Sequence, residues 1–222
     1  MSFVPLHRTS DAVLTSGGRE LLKWLALALM TGDHVNKVLL DGGQPWLTDI
    51  SRVVFPIFAV VFVCNLRLEE PGMHGWNAAL RTLVSGLLVQ PLHAWAFGYW
   101  LPANVLLTLS AGALVLLLWK RSPLASIALF VFAGLWVDYS WFGLGIMVAA
   151  ALAFSRGGAC VAFLGLAVGL LVFINGNFYA LAALPLIAVV GRLPVDVPRW
   201  RWTFLAYYVG HLGALVVLDG LS

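Results

Sequence analysis

The stretch LALALMTGDHVNKVLL, residues 25–40, sets Asp33, His34, Asn36 and Lys37 inside an otherwise apolar run. A second run, YYVGHLGALVVL, carries His211 alone. Arg52, Gln90, His93, Asn104 and Asp138-Tyr139 fall within or at the ends of further apolar runs. Ionisable groups surrounded by hydrocarbon are costly, so they pair, face a protein interior and mark function. Two kinds of chemistry use these residue types directly. Asp33, His34 and His211 are possible zinc ligands, but neither HExxH nor any paired-histidine spacing is present, so no metal site is expected. A proton or ion path uses the same side chains. Plainer readings stand beside these. Asp33 and Lys37, four apart on a helix, can neutralise each other. Arg52 and His93 can be interfacial residues, and Gln90 and Asn104 can bond across helices. His34 and His211 are the hardest to explain without function.

The elements that position these groups follow from composition. Of 222 residues, 61% are apolar and 10% charged, against roughly a quarter charged in soluble domains. The sequence therefore predicts an all-α, polytopic integral membrane helix bundle. Residues 1–19 read as a cytoplasmic tail and residues 20–222 as one transmembrane domain. The net charge of +3 gives no reason to expect nucleic-acid binding. Cys64 and Cys160 read as small buried hydrophobes. Apolar runs at about 20–40, 52–67, 76–96, 101–119, 123–137, 139–154, 158–174, 177–191 and 202–218 give nine spans. Several are shorter than the ~20 residues a full crossing needs. With nine alternating spans, eleven of the thirteen Lys and Arg fall on one side, leaving Lys37 and Arg52 on the other. The positive-inside rule then puts the N-terminus in the cytoplasm. It also sends the polar residues of spans one to six to the outer half of the bilayer, with His211 near mid-membrane.

Five segments in order carry a family likeness: LLKWLALALMTGDHVNKVL, SRVVFPIFAVVFVCNL, NVLLTL, DYSWFGLGIMVAAALAF and YYVGHLGALVVL. On these the sequence resembles the TraX family of conjugative-pilin acetyltransferases, its TrbP branch included. The likeness covers nearly the whole chain. It points to Lys23, Asp33, His34, Asn36, Arg52, Pro56, Asn65, Asn104, Tyr139, Tyr208 and His211. Lys37 departs from the family pattern, where an apolar residue is expected, and Tyr139-Ser140-Trp141 departs in register from its Ser-Tyr-Gly element.

The resemblance implies an enzyme of the bacterial inner membrane. It would take acetyl-CoA as donor and the N-terminal amine of a processed conjugative pilin as acceptor. His34 is then the expected general base or transient acyl carrier, with His211 as second candidate. Asp33 is expected to orient His211 or to pair with Arg52 or Lys37. Asn36, Asn104 and Arg52 are oxyanion donors by type, and Tyr139 and Tyr208 complete the expected substrate site. Lys23, Lys120, Arg121, Arg199 and Arg201 are where CoA phosphates would dock. Three rival readings remain open: another pilin maturation such as head-to-tail closure, a membrane scaffold without catalysis, and a small transporter.

Overall fold

The computed structural model describes residues 14–66, 73–199 and 203–221. These residues are all-α, with one isolated bridge and no named strand. α1 is Ser16–Leu39, α2 Pro45–Ser51, α3 Val54–Leu66, α4 Met73–Phe97, α5 Val105–Trp119 and α6 Pro123–Ala133. α7 is Ser140–Arg156, α8 Ala159–Gly169, α9 Val172–Asn175, α10 Ala183–Val190 and α11 Thr203–Asp219, with a 3₁₀ turn at Tyr179–Ala182. Where pieces run on (α2 into α3, α8 into α9, the 3₁₀ turn into α10) they make nine rods among the described residues. The rods stand where the nine apolar runs predicted them. Among the described residues one continuous stretch, Pro45–Leu66, is long and apolar enough to cross a membrane, and the other apolar helices of 10–17 residues fall short of that length. α1 is long enough at 24 residues but carries Arg19, Glu20, Lys23, Asp33 and Lys37. Of the nine expected spans, several were read as shorter than a full crossing, and the helix lengths agree with that part of the expectation.

α1 starts four residues before the sequence boundary at residue 20, because Thr15 caps it: its hydroxyl accepts from the Gly18 amide at 2.9 Å. The same residue anchors the helix start to the segment after α10, with Thr15 N donating to the Gly191 carbonyl at 2.8 Å and its hydroxyl to Leu193 O at 2.7 Å. Gly17 and Gly18 permit this approach, since a Cβ on Gly18 would lie 2.4 Å from the Gly191 carbonyl oxygen. Residues 1–13 of the expected tail lie outside the described residues.

α3 is the central rod. It is buried on nearly every side, from Val54 to Leu66, and packs on α1, α5, α7 and α10. A helix apolar all round belongs in an interior, which explains why the most membrane-like segment is also the best covered. The break at Arg52-Val53 has a local cause. Pro56 lacks the N–H that would bond the Arg52 carbonyl, so α2 and α3 meet there at a turn. Outward-facing side chains are also apolar: Val84, Leu87 and Leu88 on α4, Leu124, Val131 and Phe132 on α6, and Val217 and Leu218 on α11 are exposed. Buried hydroxyls satisfy backbone carbonyls instead of water, as Ser110 does with Ala79 O at 3.0 Å and Thr108 with Asp138 O at 2.9 Å. Cys64 is buried as expected, whereas Cys160 is partly exposed.

Candidate active site

α3, α5 and α7 start, and α1, α4 and α6 finish, at the same end of the bundle, and this gathers the polar residues there. The second half of α1 contributes Asp33, His34 and Lys37, and the α2–α3 junction contributes Arg52. The end of α4 adds His93 and Phe97, and its following loop adds Tyr99. Asp138 and Tyr139 come from the α6–α7 connection and Tyr208 from α11. Together they line a cavity of about 80 Å³. That is room for the reacting atoms and a few waters, not for a large donor molecule.

The two histidines meet here across 177 residues of sequence, with His34 Nδ1 2.8 Å from His211 Nε2. Their ring planes lie 16° apart with centroids at 5.1 Å. A face-to-face stack would hold the nitrogens farther apart, so the rings meet edge to edge. His211 Nδ1 lies 3.0 Å from the Tyr207 carbonyl oxygen. A carbonyl only accepts, so this nitrogen carries the hydrogen and Nε2 of the neutral ring accepts. His34 must then donate through Nδ1, which leaves its Nε2 with a bare lone pair. The hydrogen-bond network thus assigns both tautomers. Around the pair, Phe97 meets the His34 ring edge-on at 4.9 Å, and Tyr207 and Tyr208 flank His211 at 5.4 Å each. Tyr207 is itself held, its hydroxyl 2.7 Å from Thr31 Oγ1. That Thr31 hydroxyl donates to Leu27 O, so it accepts from Tyr207.

Asp33 touches neither histidine. Lys37 Nζ donates to one carboxylate oxygen at 2.6 Å and Thr48 Oγ1 to the other at 2.9 Å. The plain i,i+4 pairing is therefore the arrangement present. Asn36 and Asn104 are also committed elsewhere. Asn36 Oδ1 accepts from the Gln44 amide at 2.8 Å and its Nδ2 donates to Thr48 at 3.2 Å, which closes the α1–α2 turn. Asn104 caps α5 by accepting from Leu106 N, and its Nδ2 donates to Gly86 O at 2.8 Å and Gln90 Oε1 at 2.7 Å. Neither asparagine lines the cavity. Arg52 does, and its buried Nε has no hydrogen-bond partner among the described residues.

Asn104 is fully buried, so Asn104→Ala should remove a helix cap and two cross-helix bonds together. The expected loss is about 3 kcal/mol. In thermal unfolding of the detergent-solubilised protein this reads as a fall in Tm on the order of 10 °C.

Among the lining residues missing from the sequence-derived site are three ionisable ones, Asp138, Tyr99 and His93. Asp138 sits in the α6–α7 connection, where its Oδ1 accepts from the Tyr139 amide at 2.9 Å. Burial pushes this carboxyl up to about 6. Burial also raises the Tyr99 phenol in the α4–α5 loop, with the Asp138 and Asp33 charges adding to it. The two loops are zipped by a parallel bridge: Ala103 N donates to Trp136 O at 2.7 Å and Asp138 N to Ala103 O at 2.8 Å. His93, read from sequence as interfacial, is buried with its ring 4.9 Å from Phe97. Of these three, Asp138 had a sequence signal: an acid between two apolar runs. Tyr139 adopts φ +59, unusual for a bulky residue, and stacks on Phe55 with centroids at 4.0 Å.

The expected CoA-binding residues form two groups. Lys23 bonds Glu20 at 2.7 Å and Arg199 approaches the same carboxylate at 3.8 Å. Lys120 and Arg121 occupy the α5–α6 turn, where Arg121 lies 4.9 Å over the Trp76 ring. Arg201 lies outside the described residues.

The chain is 30% identical over 146 residues to Protein TraX of Escherichia coli, an alignment covering 62% of this chain and 54% of that protein. It is 31% identical over 138 residues to Protein TraX of Escherichia coli strain K12, covering 60% and 53% respectively. It thus spans about half the length of the curated relatives it matches. No solved structure matches. The family model described as TraX protein aligns with residues 18–219, from the capped start of α1 through the α11 histidine, and the chain belongs to the TraX family.

Proposed function

We propose that this protein is a membrane-embedded acetyltransferase of the bacterial inner membrane, which moves an acetyl group from acetyl-CoA to the N-terminal amine of a processed conjugative pilin. The observation that carries the reading is the His34–His211 pair, which leaves a lone pair on Nε2 of His34, a residue that lines a cavity together with Arg52 and Asp138. Family membership supports acetyl transfer, and the outward apolar faces of α4, α6 and α11 support a bilayer around the bundle.

The reaction needs one nucleophile and balanced proton movement. The acceptor enters as an ammonium beside the Asp138 carboxylate. His34 Nε2 takes its proton, and the free amine attacks the thioester carbonyl carbon. The Arg52 guanidinium is the cationic donor in reach of the developing oxyanion. Collapse breaks the C–S bond, the departing thiolate takes the second amine proton from the new amide, and His34 releases the first proton to water, which readies the base for the next turn. An amide and free CoA thiol result. His211 keeps the His34 tautomer and steadies the imidazolium that forms. Lys23 and His34 are eleven residues apart on α1, about 16 Å at 1.5 Å per residue. That is a span for the extended pantetheine arm, with the phosphates at the basic end near Lys23 and Arg199.

The test is transfer of labelled acetyl from acetyl-CoA to a peptide with a free amino terminus, followed by mass spectrometry. A product heavier by one acetyl group supports the reading. A product lighter by one water means chain closure, and an unchanged peptide with folded protein means another acceptor or a scaffold.

A further inference from the structure

A second and larger cavity, about 650 Å³, lies at the opposite end of α3, α5 and α7 and is closed on one side by α6. It shares no lining residue with the histidine cavity. Three observations define what it would hold. Its inner wall reaches the buried Cys64 and is almost wholly apolar. The hydroxyls on its lining are turned away to backbone carbonyls, Ser126 Oγ to Val115 O at 2.8 Å and Ser155 Oγ to Leu152 O at 3.2 Å. At the ends of α5 and α7, its rim carries Lys120 and Arg156, both exposed, beside an exposed Trp119.

We infer that this cavity seats an acyl chain of an anionic phospholipid from the surrounding bilayer, with the phosphate at Lys120 and Arg156. The chain of methylenes matches a wall that offers no hydrogen bonds, and each buried CH₂ favours the cavity over water. A pantetheine arm brings two amides and would leave them unpaired on the same wall. The two cations complement a phosphate and match the basic side of the predicted topology. Trp119 suits the headgroup level. The inference rests on the membrane reading above.

The experiment begins with carbonate-washed membranes, to establish that the chain stays in the bilayer. The protein is then extracted, incubated with equal phosphatidylglycerol and phosphatidylethanolamine, and weighed intact with its retained lipid. Wild type should keep one phospholipid and favour phosphatidylglycerol. Ala151→Trp, which fills the cavity, should keep none. Lys120→Gln with Arg156→Gln leaves the cavity shape and should lower the anionic preference roughly 30-fold. Equal retention by Ala151→Trp, no headgroup preference in wild type, or displacement of the lipid by acetyl-CoA would each overturn the inference. If the chain washes off the membrane, the membrane reading falls with it. If it stays and wild type keeps no lipid, the cavity inference alone fails.

Discussion

His34→Ala should reduce acetyl transfer by about 10³-fold in kcat/KM while the protein still elutes as a folded species in detergent. General-base catalysis is worth roughly 10² to 10⁴ in rate, and no other imidazole lining the cavity is hydrogen-bonded to His211. His93 also lines it, but that ring contacts Phe97 and Tyr99 and is not bonded to His211. His34→Gln is the more discriminating variant. Its amide can still donate to His211 Nε2, so the contact between α1 and α11 is kept, yet it cannot accept a proton at neutral pH. Initial rates with labelled acetyl-CoA decide the matter. Activity above a tenth of wild type in the glutamine variant would remove His34 from the role of base. Label found on wild-type protein without acceptor, and absent from both variants, would make His34 an acyl carrier instead.

The nine rods were legible because apolar runs and their breaks are local. Asn104 before Val105, and Ser122 before Pro123, are caps that a reader can see in the sequence. The end of the bundle that gathers the polar groups was legible too, since the cost of burying Asp33, His34 and Arg52 demands company. Which groups keep company was not. Asp33 has Lys37 one turn away and takes it, leaving the histidine to find a partner 177 residues off. Asn36 and Asn104 have the right chemistry for an oxyanion but spend it on turns and caps. Local competition of this kind is decided by a few tenths of an ångström in the backbone, which residue type and spacing do not encode. His93 looked interfacial by its place near a helix end. Only the packing of α4 and its following loop turns it inward.

The pairing itself yields the second large effect. His211→Phe keeps a ring of similar width on α11 but removes the acceptor for His34 Nδ1. His34 is then free to place its hydrogen on either nitrogen and to rotate. The expected loss is about 10² to 10³ in kcat, by comparison with the tautomer effect in catalytic triads, with KM nearly unchanged. His211→Gln offers an amide oxygen that can accept from His34 Nδ1, so it should recover a substantial part of that loss. Proton signals of His34 in selectively labelled protein give an independent reading: Nδ1 should carry the hydrogen in wild type and in the glutamine variant, and both tautomers should be populated in the phenylalanine variant. If Phe and Gln are equally inactive with the His34 tautomer unchanged, His211 does not act through His34 but touches substrate itself. If both are fully active, the close approach of the two rings serves only to pack α1 against α11, and the base must be set by another group facing the cavity.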